Sequence, residues 1–229
     1  MHAFLELQTS DGKDVAWGET TQVARANRVT SRMMFWFTDG SIYSETTVFS
    51  QRGTFRLLSD HLIQKGPSFK QSMDTTVDAT KGEITVRYRD KNGSEKVRRD
   101  RLDLPPDLAN GLILILLKDV PPNVPGTTVS MVATTPKSRL VKLEITPEGA
   151  DPISVGNIKR KATHYVVKPK LGGVAGAVAP LIGKQPPDIH VWVVEGRGPG
   201  FVKFKGPLEA NGSIWQIQMA PPAVFERPR

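Results

Sequence analysis

Apolar and polar residues alternate with a period of two along most of this chain, and that period restricts the fold more than any other property. In Glu83-Ile84-Thr85-Val86-Arg87-Tyr88-Arg89 the apolar side chains fall at 84, 86 and 88, with charged or hydroxyl groups between them. A strand with one dry face reads this way, because successive side chains point to opposite sides. The same rhythm returns in Val29, Met33, Phe35 and Phe37, in Phe55, Leu57 and Ile63, in Val129, Met131 and Ala133, in Val141, Leu143 and Ile145, and in Ile189, Val191 and Val193. Between the runs stand dipeptides that accept positive φ in tight turns: Asp11-Gly12, Asp39-Gly40, Lys81-Gly82, Asn92-Gly93, Glu148-Gly149 and Asn211-Gly212. Strands joined by turns this short are antiparallel neighbours. The count predicts about a dozen strands at roughly the 8 to 12 residue spacing of a sandwich or barrel. No repeat of fixed period accompanies them, which disfavours a propeller.

One segment breaks the rhythm. Leu104-Pro105-Pro106-Asp107 reads as a helix entry, since proline is tolerated in a first turn and a carboxylate suits the positive end of the dipole. Behind it the run Leu112-Ile113-Leu114-Ile115-Leu116-Leu117 is apolar on every side, whereas a surface helix carries only a stripe. A helix over 107–118 is therefore expected to be enclosed, with the sheet bent around it as a half-barrel. The alternative is that 112–117 form a buried sandwich strand, because a short apolar run is ambiguous by period alone. The run is far shorter than the roughly 18 residues a membrane-crossing helix needs. The prolines at 121–125 and 186–187 read as joints within one domain spanning 1–229. Met1 leads directly into the strand-like His2–Leu7 with no loose residues and no secretory signal pattern, and we expect an N-terminal segment to precede it in the full-length protein.

The most unusual loop is Leu171-Gly172-Gly173-Val174-Ala175-Gly176-Ala177-Val178-Ala179-Pro180-Leu181-Ile182-Gly183-Lys184, with four glycines and no charge between Lys170 and Lys184. It is not a phosphate loop: Gln185 follows Gly183-Lys184 where Ser or Thr is needed, and Val178 stands where the first glycine belongs. Nor does it meet the dinucleotide fingerprint, lacking the βαβ context and its acid. What remains is apolar surface flanked by lysines. It either covers one end of the barrel or forms a lid over a ligand cavity or against a membrane surface.

Catalytic and metal chemistry find little support. The chain has no cysteine, which removes disulfides, zinc ribbons, iron–sulfur clusters and thiol nucleophiles. No Gly-x-Ser-x-Gly elbow occurs, and no Ser-x-x-Lys stands with its companion motifs. Ser59-Asp60-His61 holds the right residue types, but adjacent strand residues face opposite ways and cannot relay a proton. His2, His61, His164 and His190 show no close metal-ligand spacing, so we expect no metal and no cofactor. Only an assembly of distant residues would make a hydrolase.

The excess of 31 Lys and Arg over 23 Asp and Glu, a net charge of +8, is felt most in the segment 87–101. On a hairpin it makes a positive ribbon, yet its single aromatic, Tyr88, points away from Arg87 and Arg89. Single-strand nucleic-acid sheets interleave stacking aromatics on the charged face, so nucleic acid is not expected. A solvated edge hairpin, whose charges discourage edge pairing, fits better, with anionic lipid headgroups as a secondary reading. Phe35-Trp36-Phe37 makes both faces of one strand apolar, as in a central strand covered on both sides.

The order of an N-terminal strand series, the Asp39-Gly40-Ser41 turn, paired strands about Lys91-Asn92-Gly93, the entry Asp103-Leu104-Pro105-Pro106-Asp107 and C-terminal strands resembles a group of uncharacterised bacterial proteins of unknown function. That group is similar in turn to the superfamily of periplasmic open β-barrels that includes the lipoprotein carrier of the outer-membrane localisation system. The resemblance implies a curved antiparallel sheet enclosing a helix and an apolar cavity, location in the periplasm or cell envelope, and a lipid-like ligand. It carries no catalytic signature, and the loop after Lys170 departs from the carrier pattern.

The expected architecture is all-β, a strongly curved antiparallel sheet around one helix. The expected function is non-catalytic binding of an apolar or amphipathic ligand. The cavity-lining candidates are Phe35, Phe37, Phe55, Leu57, Leu112, Ile115 and Leu116, with Val174, Val178 and Leu181 as the lid. The competing class is an interaction module whose barrel is filled by its own side chains.

Overall fold

Backbone polar groups buried in a core need partners, and alternating strands find them in their neighbours. The computed structural model describes residues 1–51, 55–90, 92–134, 137–155, 158–170, 186–196, 200–209 and 212–220. Within these, fourteen strands form one antiparallel sheet. The first eight are β1 (His2–Thr9), β2 (Asp14–Arg25), β3 (Arg28–Phe37), β4 (Ile42–Ser50), β5 (Arg56–Lys65), β6 (Met73–Asp78), β7 (Glu83–Arg89) and β8 (Glu95–Arg101). A connector containing the helical turn α1 (Ile113–Leu116) leads to β9 (Thr127–Ala133), β10 (Arg139–Val155), β11 (Ile158–Lys170), β12 (Ile189–Val194), β13 (Gly200–Pro207) and β14 (Ile214–Ala220).

The spatial order runs from β8 back to β1, then from β14 back to β9. Two sequential meanders are thus zipped together where β1 pairs with β14, for example Leu5 opposite Met219 and Leu7 opposite Ile217. The sheet curves without closing, leaving β8 and β9 as its edges. β8 is almost wholly exposed and charged, which keeps that edge from recruiting another strand. The connector then runs beside the other edge: Leu108 bridges Ser130 in parallel, and Asn110 clamps the Val132 backbone through both ends of its amide.

The turns follow the glycines at Gly12, Gly40, Gly82 and Gly93, all at positive φ. Two turns differ from the sequence reading. Glu148-Gly149 is no turn: Gly149 lies inside the long strand β10, where the register with β11 shifts and φ reaches +120°, so its glycine serves a β-bulge. The β2–β3 turn instead places Ala26 at φ +53°. Trp36 is likewise half-buried rather than covered, opposite Trp17 on the outer face of the sheet.

The expected helix over 107–118 is reduced to the single turn α1. The side-chain clamp of Asn110, the strand-like pairing of Leu108 and the positive φ of Gly111 hold the residues before Leu112 out of helical form. The connector is nonetheless enclosed, with Ala109, Leu112 and Leu117 fully buried. Leu112 and Ile115 pack into a core of Val29, Phe49, Val77, Ile84 and Val132. Leu117 packs into a larger one of Leu5, Phe35, Phe37, Leu143, Tyr165, Val191 and Ile217. Ile113 touches both, so the connector ties the two halves of the bent sheet together. At about 25 cal/mol per Å² of apolar surface removed from water, these clusters are the main source of stability.

Candidate ligand-binding cavity

Beside α1 the bent sheet does not collapse fully, and a cavity of about 360 Å³ remains. One wall is the connector, through Ile113, Leu114, Ile115 and Lys118. The opposite walls come from residues of eight strands, among them Ala3 and Leu5 on β1, Met33 on β3, Met131 on β9, Phe201 and Phe204 on β13, and Ile217 on β14. Four of the six methionines of the chain line it: Met1, Met33, Met131 and Met219. Unbranched, polarizable side chains of this kind repack around occupants of different shape. Met1 and Met219 are exposed, which marks the side on which the cavity meets solvent.

Of the residues nominated from the sequence, Ile115 lines this cavity. Phe35 is fully buried in the core, its ring so close to Gly18 that a Cβ there would stand 2.4 Å from it. Phe37 packs edge-on between Phe69 and Trp215. Phe55 packs against Phe49 with the rings tilted by 31°. Leu57 lines a separate recess with Leu104, Pro105 and Leu108. Leu112 and Leu116 face the core around Phe49 and Val77. Val174, Val178 and Leu181 lie outside the described residues, although Ile189, at the start of β12, lines the cavity.

The sequence reading missed the polar corner of the cavity. Strand alternation turns Tyr43, Glu45, Thr47 and Phe49 of β4 inward, and the first three line the cavity. The Tyr43 hydroxyl donates to Glu45 Oε2 at 2.9 Å, and the Thr47 hydroxyl donates to Asp60 Oδ1 at 2.9 Å across the β4–β5 ladder. Burial pushes the carboxyls of Asp60 and Glu45 above the usual carboxylate range, and the charge of Glu45 pushes Asp60 further. Burial, then the neighbouring Glu45, likewise raises the Tyr43 phenol well above its ordinary value. Lys118, on the facing wall, is lowered by burial. The signal was present in the sequence: Glu45 falls on the inward beat of a strand whose other inward residues are Tyr43, Thr47 and Phe49.

The structure also joins two histidines that are far apart in sequence. His164 on β11 and His190 on β12 are 3.0 Å apart between ring nitrogens, and His164 stacks on Trp192 at 4.5 Å. Trp192 donates to Asp151, and the Lys203 ammonium sits 5.1 Å from the Trp192 ring. Burial and the adjacent His190 lower the basicity of His164. This cluster does not line the cavity. Among the described residues no group of three or more His, Cys, Asp or Glu is placed to hold a metal ion.

No protein-family model matches the chain, and no curated protein matches it. A solved structure does: a β-barrel-like protein of domain of unknown function DUF1849 from Brucella abortus, with a TM-score of 0.53 and 8% identity. The match covers 96% of this chain and 94% of that one. At that identity the shared property is the β-barrel-like fold.

Proposed function

We propose that this chain is a non-catalytic binding protein for an apolar or amphipathic, lipid-like ligand, held between the bent sheet and α1 and handled at the bacterial cell envelope. The observation that carries the reading is the cavity of about 360 Å³ with its four methionines. Its volume falls in the range of about 300 to 1,000 Å³ typical of small-molecule sites, and its wall is mainly apolar with a few grouped polar side chains, the usual composition of such sites. A barrel filled by its own side chains would have no such space. The barrel-like fold is compatible with the carrier resemblance drawn from the sequence.

Titration with N-phenyl-1-naphthylamine, an uncharged apolar fluorophore, tests this directly. Saturable binding at one site is expected. Ala3→Phe, which puts a ring into the cavity from β1, is expected to abolish it while the far-ultraviolet circular dichroism stays that of the parent. Absence of saturable binding, or binding indifferent to Ala3→Phe, would refute the proposal.

A further inference from the structure

Resting on that reading of the cavity, we propose that its ligand carries a protonated amine and that Glu45 receives it. Three groups converge at one point under the connector. A Cβ built on Gly111 would lie 2.1 Å from Thr47 Oγ1, 2.7 Å from Asp60 Oδ1 and 3.3 Å from Glu45 Cδ. The two carboxyls are therefore immediate neighbours. Asp60 is only 3% exposed and is bonded to Thr47, whereas Glu45 is part-exposed and lines the cavity.

None of the ion pairs among the described residues involves either carboxyl. Glu45 Oε2 takes one hydrogen bond from Tyr43, and Asp60 takes one from Thr47. Two adjacent carboxyls in an enclosed apolar setting repel when both are charged, so burial favours their protonated forms and a cation brought to this corner stabilises the charged one. Lys118 is on the cavity wall, but its electrostatic partner is Asp119. A primary ammonium supplies three donors and one positive charge at this corner, and its alkyl chain then lies along the methionines and α1. A carboxylate head would be repelled here, and a hydroxyl would bring no charge.

Isothermal titration calorimetry of the full chain near neutral pH with dodecylamine, dodecanol and dodecanoate separates the cases. Dodecylamine is expected to bind about tenfold tighter than dodecanol, the ratio a charge-assisted hydrogen bond supplies, with dodecanoate weakest. In Glu45→Gln the amine-to-alcohol ratio is expected to fall to about one. Should that variant fail to fold, Asp60→Asn, which keeps an acceptor for Thr47, is expected to lower the same ratio. If dodecanol binds as well as dodecylamine, if dodecanoate binds best, or if the preference survives in folded Glu45→Gln, the amine assignment is overturned while the cavity reading stands. If none of the three probes binds, both fall.

Discussion

Gly111 lies hard against Thr47 and Asp60 of the sheet, and replacing it with alanine tests how tightly the polar corner is built. Two costs add. The residue sits at φ +65°, where a Cβ is disfavoured by about 1–2 kcal/mol. The same Cβ would stand 2.1 Å from Thr47 Oγ1, against an ordinary contact beginning at 3.4 Å, so the hydroxyl has to retreat by more than an ångström. That displacement breaks the Thr47–Asp60 hydrogen bond and leaves a buried carboxyl without its donor, worth about 1–3 kcal/mol. Gly111→Ala is therefore expected to lose about 2–5 kcal/mol of unfolding free energy. Gly93 provides the control: it has φ +77° in the β7–β8 turn, and a Cβ there meets nothing within 4 Å. Gly93→Ala is expected to lose only the conformational part, about 1–2 kcal/mol. Urea unfolding followed by tryptophan fluorescence reads both. Equal losses in the two variants would show that the connector yields at Gly111 and that the convergence on Thr47 and Asp60 is not a constraint.

Two other outcomes are expected. Ala26→Gly should stabilise the chain by about 0.5–1 kcal/mol in the same urea assay, because Ala26 takes the positive φ of a two-residue hairpin turn where glycine is preferred. Asp60→Asn should change the pH dependence of stability. The folded-state pKa values of Asp60 and Glu45 are raised, so the folded protein binds their protons more tightly than the unfolded chain; their contribution is greatest below the unfolded carboxylate value near about pH 4 and falls as pH rises through the folded values. Asp39, Asp78, Asp90, Asp100 and Asp107 have lowered values and act oppositely, losing stability as pH falls. The stability of Asp60→Asn relative to the parent should therefore rise as pH climbs above the unfolded carboxylate value near about pH 4 in melting experiments, and a constant difference would contradict the assignment.

The architecture was legible because period two is a direct record of which face is dry. Ile84 and Val86 are buried as their alternation required, and the turns at Gly12, Gly40, Gly82 and Gly93 lie where Asp, Lys or Asn precedes glycine. Glu148-Gly149 misled because a β-bulge and a turn ask the same positive φ of glycine. Ala26 left no trace at all, since alanine is not a residue that advertises that conformation. The helix was overextended because helix-entry signals at Pro105, Pro106 and Asp107 are local, while the pairing of Leu108 with Ser130 and of Asn110 with Val132 is set by a strand some twenty residues further on. The cavity wall was harder still. Phe35 and Phe37 are apolar inward residues like Met33, and what separates a packed side chain from a lining one is the distance to the opposite wall, which no single strand encodes. Glu45 was readable in principle as an acid on an inward beat.

The order of strands has a kinetic corollary. Among the described residues every ladder but one joins strands consecutive in the chain and can form as a local hairpin, whereas β1 and β14 meet through pairs such as Phe4 with Ala220. Closing so long an interval costs about 3 kcal/mol more entropy than closing a ten-residue hairpin. We therefore expect the rate-limiting event in reaching the native state to be the joining of two preformed wings along that ladder, with their greasy inner surfaces exposed to aggregation until it occurs.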